Sequence, residues 1–253
     1  MRELTRYRET LVREQSAVAN RIQKLIESGN IKLSQVASDA LGTSGRQMLW
    51  ALARGETDPV TLAALAQGRL REKSLELQRA LDGRLTVNQR FVLGELLTRW
   101  EELERADERV TREIDQYLRA RPKLARCREL LDTIAGIGPR VAEVVVAEIG
   151  VQMGDVFESD AHLASWAGLC PGNTASGGKR LSGRTRKGNT YVRAALVQAA
   201  WGATRKKNCY LSSQYQRLVK RLGRKKALVA VAHSLLVIIY HVLQSDQSYT
   251  ELG

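Results

Sequence analysis

The sequence predicts a mainly α protein: a helical, coiled-coil arm followed by a compact α-helical domain containing a helix-hairpin-helix. Three observations predict it. Apolar residues recur at steps of three and four along the stretches 3–27 and 86–120, which is the period of a helix with one buried face. Glycine, asparagine or proline separates the periodic stretches. No stretch reads as a strand, since the β-branched run Val144-Val145-Val146 lies inside a helical pattern.

The arm comes first. Over 3–27, Leu4, Tyr7, Leu11, Val18, Ile22 and Leu25 share one face, and Gly29-Asn30 stops the helix. Residues 31–85 read as several short helices broken at 42–45, 55–59 and 68, with Ser44 and Thr57 as N-cap candidates. Residues 86–120 read as one long helix. Leu93, Leu96, Trp100, Leu103, Val110, Ile114 and Tyr117 form a heptad-like seam flanked by charges. That seam can meet the first helix within the chain or across a dimer. Arg121-Pro122 ends the helix, which places a domain boundary near 120 and divides the chain into 1–120 and 121–253.

In the second half, LLDTIAGIGPRVAEVVVAEI at 130–149 reads as two helices around the turn Ala135-Gly136-Ile137-Gly138, with Pro139 opening the second. This is the pattern of a helix-hairpin-helix, whose turn and following helix N-terminus aim N–H groups at a phosphate. A plain αα-corner fits the same residues. Asp155, Glu158 and Asp160 precede a further helix and suit capping better than metal binding. Later helices are expected at 191–204, 210–221 and 227–243. The last is an apolar run of 17 residues with His233, Ser234 and His241, and it reads as a core helix rather than a membrane span.

Charge locates the function. The formal net charge is +13, yet residues 1–160 hold 25 basic and 25 acidic side chains. Residues 161–245 hold 15 basic and no acidic ones. Such a tract calls for an anionic partner from outside, a polyphosphate above all. Within it, PGNTASGGKRLSGRTRKGN at 171–189 combines five glycines, five cations and two serines. The glycines suggest open, tight backbone rather than a regular element. On chemistry alone, Ser176 and Ser182 are both candidate nucleophiles beside fixed positive charge. Cys127, Cys170 and Cys209 form no CxxC pair and suggest a reducing compartment. The three histidines show no metal-ligand spacing with them, and MRELTRYRET lacks the apolar core of a signal peptide.

The runs LLDTIAGIGPRVAEVVVAEIG, SDAHLASWAGLCPGN, ASGGKRLSGRTRKGNTYVRAALVQAAW and KKALVAVAHSLLVIIYHVL, in that order, resemble the C-terminal domain of Piv-like insertion-sequence serine transposases, the bridge-RNA-guided recombinases. Residues 1–120 resemble that family's region between its two catalytic parts. The resemblance implies that Ser176, in ASGGK, is the nucleophile that attacks DNA. It also implies that Gly136, Gly138, Arg140, Gly177, Gly178, Lys179, Arg180, Arg184, Arg186, Lys187, Asn189 and Arg193 hold nucleic acid. DNA is the expected partner, with a structured guide RNA and further copies of the chain joined through the arm. No membrane partner is expected, and the expected location is the bacterial cytoplasm at the nucleoid. Family members also have a RuvC-like domain with four metal-binding acids. No βαβ-type opening precedes Leu4, so the chain is expected to keep the serine half of a composite site, with no cofactor of its own and Mg2+ arriving with the acidic domain. By that reading it binds but does not recombine alone. A noncatalytic nucleic-acid-binding module is the alternative, and an assembly protein with incidental charge is a third.

Overall fold

Both long periodic stretches form helices, and they pair within the chain. The computed structural model describes residues 1–151, 153–154, 156–172 and 185–251, and the backbone of 155, 174–176 and 179–182. Among these the chain is mainly α, as the sequence predicts. Contacts divide it into a unit Tyr7–Arg112 and a unit made of Met1–Arg6 with Glu113–Gly253. The division falls inside the second long helix, whereas the sequence reading sets it at that helix's end near 120.

In the first unit, α1 (Arg2–Ser28) and α6 (Val87–Arg119) run antiparallel. Glu14 meets Arg99 at 3.5 Å, and Ser28 accepts a hydrogen bond from Gln89 at 3.0 Å. Leu11, Val18, Ile22 and Ile26 face Leu93, Leu97 and Leu103 in one core. Leu96 packs against this core partly buried, and Leu97, which continues the four-residue step from Leu93, is fully buried beside it. Each such side chain contributes about 1.5–3 kcal/mol on burial. The seam is therefore used internally here. A capping box starts α6: the Thr86 hydroxyl accepts from Gln89 N–H at 3.2 Å while Gln89 accepts from Thr86 N–H at 2.8 Å.

Between them lie α2 (Leu33–Val36), α3 (Thr43–Ala53), α4 (Pro59–Ala64), a 3₁₀ turn at Gly68–Lys73 and α5 (Ser74–Leu81). Both expected caps are displaced. Pro59 occupies the first helical position of α4, so the cap falls on Asp58, which accepts from Val60 and Thr61 N–H groups. Gly42 caps α3, and Ser44 instead accepts the Gln67 N–H at 2.9 Å.

The second unit contains α7 (Pro122–Asp132), α8 (Pro139–Ile149), α9 (Met153–Val156), α10 (Asp160–Trp166), strands β1 (Thr174–Ser176) and β2 (Lys179–Ser182), α11 (Thr190–Ala203), α12 (Tyr210–Leu222) and α13 (Arg224–Ser245). By length and composition α13 is apolar enough to cross a membrane. Here Ala227, Val231, Ala232, Leu235, Leu236 and Ile239 are fully buried, and helices α7, α10, α11 and α12 pack around it. The Tyr240 hydroxyl donates to the Phe157 carbonyl at 3.3 Å. Val144–Val146 lie within α8, as read. The 171–189 stretch departs from its reading: β1 and β2 pair antiparallel, with Ser176 opposite Lys179 and Ala175 opposite Arg180. The two residues between Ser176 and Lys179 are Gly-Gly. That is a hairpin signal, and it outweighs the general tendency of glycine to break regular structure.

Candidate nucleic-acid interface

The basic stretch leaves the second unit and returns to it through a closed neck. Gly168 follows α10 with φ +69°. A Cβ on Gly188 would lie 2.3 Å from Gly168 N and 2.4 Å from the Ala167 carbonyl carbon. Only glycine permits that approach. The Asn189 N–H donates to the Trp166 carbonyl at 3.2 Å, and Pro171 and Thr185 form an isolated bridge. The strand pairing carries a bulge between Thr174 and Ala175, a device that twists a ribbon and redirects its residues. Arg186 and Lys187 are exposed at the end of the excursion.

Under the neck lies Glu148, near the C-terminus of α8 and buried to 3% exposure. Arg6 Nε and Nη2 donate to its two oxygens at 2.7 and 2.9 Å, and Asn189 Nδ2 donates at 2.8 Å. The same Asn189 caps α11: its Oδ1 accepts from the Tyr191 and Val192 N–H groups, both at 3.0 Å. The Arg6 guanidinium lies 4.4 Å from the Tyr191 ring centroid. Arg2 reaches the terminal carbonyls of α8, with Nη2 3.0 Å from the Glu148 carbonyl oxygen, a favourable place for a cation. Burial alone would raise the Glu148 carboxyl. The donors Arg6 and Asn189 and the Arg2 charge outweigh it, and its pKa falls below the usual carboxylate value. Three segments, α1, α8 and the neck that opens α11, thus meet at one carboxylate at the root of the basic hairpin. Sequence reading missed Glu148. The available signal was a lone acid at the end of the apolar run VVVAEI.

The turn at 133–138 joins α7 to α8. Ile134 and Ile137 are buried, and Gly136 holds φ +87°. A Cβ there would stand 2.3 Å from the Ala199 carbonyl oxygen and 2.7 Å from Ala203 N, so the turn sits directly on the backbone of α11. Gly138 caps α8 with open space around it. Gly136, Gly138 and Arg140 line one groove with Trp201 and Gly202.

The predicted residues therefore fall into two groups rather than one. Asn189 and Arg193 lie at the start of α11. The 136–140 group lies against its far end, about 20 Å away at 1.5 Å per residue. Ser176, Lys179 and Arg180 are placed by their backbone in the strands, while Gly177, Gly178 and Arg184 lie outside the described residues. Among the described residues no three His, Cys, Asp or Glu side chains group together as metal ligands. Glu148 is held by Arg6, and Glu143 lies 3.4 Å from Arg128, which also meets Asp115 at 3.0 Å. These donors do not fit a divalent metal. Ser159, rather than one of the neighbouring acids, caps α10, while Glu158 lies 3.5 Å from His162 and Asp160 3.8 Å from His241. Burial pushes the Cys170 thiol up, away from thiolate chemistry.

Residues 128–216, from within α7 to within α12, match the family model described as Transposase IS116/IS110/IS902 family. The chain is 28% identical over 251 residues to a probable family 20 transposase of Pseudomonas aeruginosa, covering 96% of this chain and 63% of that protein. It is 26% identical over 256 residues to the transposase for insertion sequence element IS1111A of Coxiella burnetii, covering 97% and 59%. Over 144 residues it is 30% identical to the pilin gene-inverting protein of Moraxella bovis, covering 54% and 43%. The chain spans about three-fifths of the length of the two relatives that it matches nearly end to end.

Proposed function

We propose that this chain is the DNA-holding, serine-bearing part of a transposase or recombinase. The observation that carries the reading is the basic hairpin raised on the Gly168–Gly188 neck, within a tract of 15 cations and no acid. The relatives' names, which speak of transposition and gene inversion, support it. The 133–138 turn is proposed to act as a helix-hairpin-helix that grips phosphate without reading sequence. A structured guide RNA is a second polyanion suited to the same tract.

Ser176 is the proposed nucleophile. Its Oγ attacks a DNA phosphorus and the P–O bond to the departing sugar oxygen breaks. The serine proton passes through water to that oxygen, and one phosphodiester bond is kept as phosphoserine for rejoining. Lys179, Arg180, Arg184 and Lys187 are the proposed stabilisers of the phosphoryl charge. The Mg2+ such chemistry uses is assigned to an acidic domain outside these 253 residues. A second copy is proposed to join through the arm, on a surface other than the seam that α1 and α6 already share. The proposed location is the cytoplasm, at the nucleoid.

Adduct trapping tests the reading. End-labelled DNA is incubated with the chain and a RuvC-like acidic domain in Mg2+, then run under denaturing conditions. Wild type and Ser182→Ala give a protein–DNA adduct with phosphate on Ser176 by mass spectrometry, and Ser176→Ala gives none. An adduct that survives Ser176→Ala overturns the assignment. DNA binding with no adduct under any condition favours the noncatalytic module.

A further inference from the structure

We propose that Trp201 and the adjoining groove form a stacking site for an unpaired nucleobase, separate from the basic hairpin. The inference rests on the nucleic-acid reading above and assigns one surface to a single-stranded segment.

Trp201 lies on the last turn of α11 and is 43% exposed. An indole is costly to leave in water, and its flat face suits a base of any identity. The groove beside it measures about 420 Å³ and includes Gly136, Gly138, Pro139, Arg140 and Gln198 in its lining. Two glycines and a proline leave that wall low, so a flat group can reach the ring. Among the described residues no carboxylate lines the groove. The Arg205 guanidinium lies 5.0 Å from the Trp201 ring centroid, outside the groove lining, and exposed Lys206 and Lys207 follow it. Arg140 is exposed on the other side. An aromatic face between cations is the arrangement that accepts a base while its flanking phosphates meet positive charge. A duplex keeps its bases stacked on one another, so this site favours unpaired strands.

The test compares binding of a 15-nucleotide oligothymidine and a 15-base-pair duplex to the full chain by fluorescence anisotropy. Trp201→Ala is expected to weaken the single strand about 5- to 100-fold and the duplex less than about twofold, whereas Trp201→Phe keeps most single-strand affinity. An unchanged single-strand affinity in Trp201→Ala, or an equal loss on both ligands, overturns the stacking site and leaves the basic-hairpin reading intact. Wild-type chain that binds neither ligand overturns the nucleic-acid reading itself. Circular dichroism of each variant confirms that the comparison is between folded proteins.

Discussion

Glu148 is the residue that ties α1 to the root of the β1–β2 hairpin. Removing one member of a fully buried ion pair costs about 3–5 kcal/mol. Arg6 is 40% exposed at its side chain, so the expected loss for Glu148→Gln is smaller, about 2–3 kcal/mol at pH 7. The carboxyl's pKa is lowered in the folded chain. Its contribution is therefore complete above the unfolded value, about 4.3, and disappears as pH falls through the lower folded value. Urea denaturation should show a gap between wild type and Glu148→Gln that is full at pH 7 and narrows in acid. A gap independent of pH would contradict the paired-carboxylate account. The local sequence offers only a lone acid closing an apolar run, because the partners Arg2 and Arg6 are more than 140 residues away in the chain. The charge excess was legible, since it depends only on composition.

At the scale of elements, the 133–138 turn sets two glycines in opposite surroundings, Gly136 packed against α11 and Gly138 in open space. Gly136→Ala places a methyl against the α11 backbone at a positive φ, and a loss of about 3 kcal/mol is expected from overpacking and strain. Gly138 has open space around it, so Gly138→Ala should cost under about 1 kcal/mol while weakening DNA binding by crowding the proposed phosphate cradle. Denaturation curves and anisotropy on both variants check this, and two variants equally destabilised would contradict the division. Helices were legible because their period is local. The β1–β2 hairpin was not, because five glycines within 19 residues read as loop unless the Gly-Gly spacing is weighed. The caps moved for a similar reason: a proline's position, not the nearest hydroxyl, decides where α4 begins.

At the scale of the molecule, α11 sets the basic hairpin at one end and the 133–138 turn with Trp201 at the other. That spacing, about 20 Å, suits contacts to separate points along one nucleic acid better than a single pocket. Neither sequence spacing nor composition reveals it, since the two groups lie on opposite sides of α8–α10 in chain order. What the chain order did reveal is the charge asymmetry, from which comes the proposal that residues 161–245 bind a polyphosphate. Duplex affinity measured across salt tests it most directly. If five cations of the hairpin stretch neutralise phosphates, the dissociation constant should rise with salt with a log–log slope of about 4 to 5. Replacing Lys179, Arg180, Arg186 and Lys187 with alanine should flatten that slope. Affinity that stays constant from 50 to 200 mM salt, within about twofold where counterion release requires a roughly several-hundred-fold fall, would contradict it.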